Sequence, residues 1–355
     1  MTENAPTSAL EWLAVGQACL GRGDKRGALA AIDNALALEP RNLKALMLKA
    51  DHLAEAGDMR AAVSFYAAAA RISPAAAGAD MHAELKRARS MIERHARDLE
   101  AHIRAALDRQ GLGEGSMPPR FARALKILMG KEKAYAQAPR YFYYPELAPI
   151  QFFERSDFPF LDQVEAAWRD IGAELDAIDA AAAEFEPYVK RDPNRAPSDQ
   201  LGMAGNRAWS AYFLIKDGET TPGAARCPKT LAALAGAPLT RIPKRTPSVL
   251  FSRLTPGARI PPHTGMINAR LICHLPVIAP PNCLFRVGNQ TRAWEEGKAW
   301  VFDDTIEHEA WNGSDRDRTV LIFDIWRPDL HEEERLAIVA LCQALDDFAG
   351  GQEWD

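Results

Sequence analysis

Two histidines in a β-rich stretch, His263 in RIPPHTGMINAR and His308 in FDDTIEHEAW, are of the type and setting that could share a metal. Each follows a run with strand character, and imidazoles suit iron(II), zinc or copper. Arg318 comes ten residues after His308, at the head of the run TVLIFDIW. A guanidinium holds a carboxylate through two parallel hydrogen bonds, a geometry that lysine does not match. Oxidative chemistry that consumes a 2-oxoacid needs such a clamp, because one end of the acid chelates the metal while the other is anchored. Satisfied core histidines and a rim salt bridge are the plainer alternatives. Residue type and spacing alone leave both open.

Bringing two distant histidines together requires a sheet structure behind them. Five short β-rich runs are present: SVLFSRL (248–254), ARLICHLPV (269–277), CLFRV (283–287), KAWVFDD (298–304) and TVLIFDIW (319–326). Their length and spacing predict an antiparallel sandwich or barrel of jelly-roll type. Helical periodicity precedes them at 162–183 and follows at 331–348. Strand alternation turns Cys273 away from its neighbour His274. Trp294, Trp300, Trp311 and Trp326 are expected in the core, with Trp311 a further candidate for the pocket wall.

The first hundred residues carry a repeat. Gly23-Asp24 recurs as Gly57-Asp58, Ala28 as Ala62, Ala35 as Ala69 and Pro40 as Pro74, always 34 residues apart. That period, with small residues where helices touch and a closing proline, predicts helix-turn-helix units of tetratricopeptide type. A helix over 79–107 is expected to cap the two units. Such an array is either a packing module or a groove for a peptide or protein partner. The Gly- and Pro-rich text that follows is expected to be a linker, which divides the chain into 1–110, 111–140 and 141–355. The histidines outside the β-rich region (His52, His82, His95, His102 and His331) are expected on solvated helix surfaces.

Composition narrows the partners. A net charge of −5 gives no electrostatic footprint for nucleic acid. No run approaches the roughly 18 apolar residues that span a bilayer. The first residues lack the basic and apolar segments of a secretion signal. The five cysteines are scattered without a CxxC pair, which fits free thiols in a reducing cytoplasm.

From about Tyr141 to Leu330 the chain resembles the aspartyl/asparaginyl β-hydroxylases. The likeness is carried by PPHTG followed by NARLICHLP, by CLFRVGNQTRAWEEGKAWVFDDTIEHEAWN, and by Arg318 with IFDIWRPDL. YFYYPELAP and FPFLDQVEAAW look like that family's entry segments. The resemblance implies an α+β protein with a double-stranded β-helix, jelly-roll or cupin-like, behind helical repeats. It implies a dioxygenase that uses iron(II), 2-oxoglutarate and O2 to hydroxylate a C–H bond, such as the β-carbon of Asp or Asn in a peptide, protein or related small molecule. His263 and His308 fall on the metal ligands, Arg318 and Ser252 on the clamp for the distal carboxylate, and His274 near the other carboxylate. Arg270 falls where an acidic substrate group would be met, but Ile272 stands where a second arginine is expected. Gly265 replaces the usual carboxylate two residues after the first histidine, so water is implied as the third ligand. Asp303, Asp304 and Glu307 are expected to orient His308 or its turn rather than bind metal. Two other classes remain open: a repeat scaffold with a degenerate oxygenase domain, and a cupin-like metalloenzyme that uses no oxoacid.

Overall fold

The computed structural model describes residues 6–72, 79–181, 185–190 and 202–349. Pro74, and the end of the 162–183 helical stretch, fall outside them. The chain forms two compact units, Met1–Glu132 and Lys133–Asp355.

The first unit is helical: α1 (Ala9–Gly21), α2 (Lys25–Leu38), α3 (Leu43–Glu55), α4 (Met59–Ala70), α5 (Ala79–Arg109) and α6 (Pro119–Leu128). The repeated Gly-Asp pair has a direct physical cause. Gly23 and Gly57 adopt φ of +78° and +84°, the left-handed conformation in which a helix stops most cheaply. The next residue then caps the following helix: Asp24 accepts from the Gly27 amide at 2.9 Å, and Asp58 from the Ala61 amide at 3.0 Å. The paired alanines Ala28, Ala35, Ala62 and Ala69 are fully buried, where α1 packs on α2 and α3 on α4. The stretch taken from sequence as a linker contains α6.

The second unit is mixed. Helices α7 (Leu161–Ala166) and α8 (Trp168–Ala180) precede strands β1 (Glu186–Pro187), β2 (Trp209–Lys216) and β3 (Glu219–Thr220). Helix α9 (Pro228–Ala233) leads into β4 (Val249–Leu254), β5 (Arg259–His263), β6 (Arg270–Ile278), β7 (Cys283–Val287) and β8 (Gln290–Ala293). Strands β9 (Trp300–Phe302), β10 (His308–Asn312) and β11 (Arg318–Trp326) follow, and α10 (Glu332–Ala349) closes the described chain. The larger sheet runs β1-β2-β4-β11-β6-β9, with β3 on β2; the smaller runs β5-β10-β7-β8.

Strand alternation sorts the side chains into two cores. Leu321, Phe323 and Ile325 of β11, with Phe251 and Cys273, pack beneath α7, α8 and α9. Val320 and Ile322 face the other way, into a layer shared with Phe285, Val287 and Ala310 of the smaller sheet. Truncating a fully buried aromatic such as Phe323 to alanine costs about 3–5 kcal/mol. The functional residues lie in the layer between the sheets.

Besides the short strands β1, β3 and β8, three strands were not among the sequence runs: β5, β10 and β2. The prolines in RIPPH disguise β5, yet β5 is an edge strand, where the missing amide hydrogens cost nothing. As a result both histidines lie on strands, not after them: His263 ends β5 and His308 begins β10. The third is β2, WSAYFLIK, whose aromatic and branched content was signal enough to find it.

Candidate active site

The antiparallel register of β5 and β10 places His308 directly opposite His263, with ring centroids 4.1 Å apart. In each residue Nδ1 lies against the carbonyl two residues earlier: Pro261 O at 2.8 Å and Ile306 O at 3.1 Å. A carbonyl can only accept, so in the neutral ring Nδ1 carries the hydrogen and Nε2 keeps its lone pair. Burial lowers the pKa of His263 and lowers that of His308 well below 6.5, so both are neutral near neutral pH. Two neutral imidazoles with fixed tautomers are a fitting donor set for a divalent transition metal. Among the described residues no group of three or more His, Cys, Asp and Glu side chains gathers as a metal-ligand set.

The turn before His308 is fastened internally. Asp303 accepts from the Thr305 amide at 3.0 Å and hydroxyl at 2.5 Å, from Gln137 Nε2 at 2.6 Å and from Arg327 Nη1 at 3.1 Å. The Asp303 and Arg327 side chains are both fully buried, and removing one partner of such a pair costs about 3–5 kcal/mol. The Gly265 amide donates to Asp304 O at 2.7 Å, tying the chain beyond His263 to the turn before His308. Glu307 pairs with Arg286 at 3.0 Å.

On the facing sheet, Arg318, Val320, Ile322 and Asp324 share the inner face of β11. Ser252 stands opposite Val320 and His274 opposite Ile322. Arg318 is 2% exposed, pairs with no carboxylate among the described residues, and its Nε has no hydrogen-bond partner. Burial pushes its pKa down to about 10. Trp294 stacks on His274 and holds the guanidinium 5.3 Å from its ring centre. Burial, then the charge of Arg318, keep His274 neutral, and its Nδ1 is also without a partner. Ser252 Oγ accepts from Trp209 Nε1 at 3.1 Å, which leaves the hydroxyl hydrogen available. Buried polar groups are rarely left so, and this cluster has the character of a receptor for an anion.

Arg270 is differently placed. Its Nη2 lies 3.4 Å from Asp304 Oδ2 and its Nη1 lies 3.4 Å from Asp324 Oδ2. Asp304 in turn fills the space beside Gly265. A Cβ there would come within 2.7 Å of Oδ1 and closer still to Oδ2. Burial raises the Asp304 pKa to about 7, against the pull of Arg270.

The structure therefore brings His263, His308, His274, Ser252 and Arg318 into one layer, with Arg270 at its other end. Trp209, Asp324 and Arg327 also shape the site and were not singled out from sequence; each acts through a cross-strand or loop contact that the chain's order conceals. Trp311 lies on the other face of β10, beneath Arg259.

Residues 165–328 match the family model of the aspartyl/asparaginyl beta-hydroxylases. Over 135 residues, 38% of the chain, it is 36% identical to 18% of the aspartyl/asparaginyl beta-hydroxylase of Homo sapiens. Over 189 residues, 52% of the chain, it is 33% identical to 63% of the ornithine lipid ester-linked acyl 2-hydroxylase of Rhizobium tropici. The chain thus spans less than two thirds of the length of each of these relatives. Among solved structures, the Schizosaccharomyces pombe Cnp3 cupin domain aligns over 41% of this chain and 74% of its own, at 7% identity and a TM-score of 0.24.

Proposed function

We propose that the second unit is an iron(II)- and 2-oxoglutarate-dependent dioxygenase that hydroxylates an unactivated C–H bond. The observation that carries this is Arg318, a buried guanidinium with no carboxylate partner among the described residues, set on the same inner face as Ser252 and His274 and facing the layer of the histidine pair. An unpaired buried cation is costly, and a dicarboxylic co-substrate removes the cost. His263 and His308 would hold the metal through Nε2; Arg318 and Ser252 would hold the distal carboxylate. His274 would border the other end of the oxoacid. The chemistry supplied by bound ferrous iron is activation of O2, coupled to decarboxylation of the oxoacid to succinate. The aromatic layer of Trp209, Trp294, Phe285 and Phe302 excludes water around these groups.

The names of the relatives support hydroxylation as the reaction class. The proposed point of attack is the β-carbon of an Asp or Asn residue in a peptide or protein, or of a related small molecule. The helical pairs of the first unit, with their 34-residue offset, are proposed as tetratricopeptide-like and as a dock for a protein partner. All five cysteines are free and buried, which supports a reducing, cytoplasmic setting. No helix among the described residues is long and apolar enough to cross a membrane.

The test is succinate formation from 2-oxoglutarate by the full chain with iron(II) and O2. Succinate that depends on iron and is lost in Arg318→Ala supports the proposal. No succinate across a broad substrate panel favours the scaffold. Metal binding with no affinity for 2-oxoglutarate, and indifference to Arg318→Ala, favours a cupin-like metalloenzyme of another kind.

A further inference from the structure

The inner face of the site is polarised along β11. Arg318 and Asp324 share that face six residues apart, which is about 20 Å at the strand rise of roughly 3.3 Å per residue. At the Arg318 end the charge is positive and, among the described residues, meets no carboxylate. At the Asp324 end two carboxylates, Asp304 and Asp324, share one guanidinium among the described residues, Arg270. Asp304 is 6% exposed and Asp324 1%. Asp304 Oδ1 is buried and accepts no hydrogen bond among the described residues. A buried carboxylate oxygen in that state calls for a donor beyond the described residues.

Register explains where the missing positive charge went. Ile272, the position at which a second arginine was expected, stands directly opposite Asp324 on the same face. An arginine there would leave two carboxylates facing two guanidinium groups; isoleucine leaves one carboxylate in excess among the described residues. Arg270, engaged by both aspartates, has little to offer an acidic substrate group. A further cation near His263, Arg140, is solvent-exposed and screened. The acidic end adjoins the histidine pair, since Asp304 lies against Gly265, two residues beyond His263.

We propose that this end of the site receives a basic group of the substrate, an ammonium or guanidinium, with Asp304 and Asp324 as its specificity-determining carboxylates. The inference rests on the oxygenase proposal for where the substrate lies, and of the points of attack proposed there it disfavours the charged Asp side chain. A cation placed there gives the excess carboxylate a partner and Asp304 Oδ1 a donor; a carboxylate placed there meets like charge in a buried setting.

The test uses the full chain loaded anaerobically with iron(II) and the unreactive oxoacid analogue N-oxalylglycine. Calorimetry then compares two matched probes, N-acetyl-arginine amide and N-acetyl-aspartate amide. The arginine probe is expected to bind at least about ten-fold more tightly, and Ile272→Arg to erase or reverse that preference. Because a new arginine at a buried position risks misfolding, Asp304→Asn, nearly equal in size, is the second variant and is expected to weaken the arginine probe selectively. Equal affinities, tighter binding of the aspartate probe, binding of neither, or a preference untouched by both variants overturns the proposal. Loss of N-oxalylglycine binding with the arginine preference retained would sink the oxygenase proposal and leave this one standing.

Discussion

His263 closes β5 and His308 opens β10, and the two face each other across the strand pair with ring centroids 4.1 Å apart. Their Nδ1 atoms are both committed to backbone carbonyls, so the free lone pairs are on Nε2. This cross-strand pair turns two histidines far apart in sequence into a common donor set. Replacing either by alanine is expected to abolish iron(II) binding and turnover while the fold persists, at a stability cost of about 1–2 kcal/mol. Metal analysis of the purified variants, with a thermal melt of each, checks this; a variant that keeps iron and full activity contradicts it.

Arg318→Met separates the clamp from the fold. Hydrogen bonds to charged groups contribute about 1.5–3 kcal/mol each, so losing two weakens 2-oxoglutarate binding by roughly 100-fold or more. The same change removes an unpaired buried charge, so the ligand-free variant is expected to melt at the same temperature as the parent or higher. Arg318→Lys is not expected to restore affinity, because a point charge cannot reproduce the two-pronged grip. Calorimetric titration with 2-oxoglutarate and a melting curve read the two effects separately.

Gly265 sits two residues after His263, where many non-haem iron oxygenases carry a metal-binding carboxylate, and Asp304 already occupies the space. Gly265→Ala and Gly265→Asp must therefore displace Asp304 from Arg270 or shift the strand end. Each is expected to cost about 1–3 kcal/mol, as overpacking does. Neither is expected to raise iron affinity or turnover. A Gly265→Asp protein that bound iron more tightly and turned over faster would refute this.

Asp304 also makes a pH-dependent contribution. Its folded pKa is raised to about 7 from 3.8, so the folded chain holds its proton more tightly than the unfolded chain does. The associated stability is complete below 3.8 and is lost as pH rises through about 7. Asparagine has no such loss. The melting temperature of Asp304→Asn relative to the parent is therefore expected to rise between about pH 5.5 and pH 8. A difference that is flat or falls over that range contradicts the assignment.

Much of the site was legible in the residues because its chemistry is local in type: imidazoles in a β-rich region, an arginine at a strand head, a glycine where a carboxylate is usual. The 34-residue helical repeat was legible for a similar reason, since a Gly-Asp turn states both the end of one helix and the cap of the next. What escaped depends on pairing between distant strands. β5 was hidden by prolines that only an edge strand tolerates. Arg270, expected to face an acidic group, is flanked by Asp304 and Asp324, and neither contact can be seen without the register of β6 and β11 and the return of the 303–307 turn. Asp303 and Arg327 meet in full burial although one precedes His308 and the other follows β11.

The shared histidine site and the Arg318 clamp are tested together by a structure of the chain with iron(II), or manganese(II) in its place, and N-oxalylglycine. The metal is expected on Nε2 of both His263 and His308, with the distal carboxylate on the Arg318 guanidinium and the Ser252 hydroxyl. A metal that engages only one of the two histidines, or an analogue whose distal carboxylate lies away from Arg318, would contradict it.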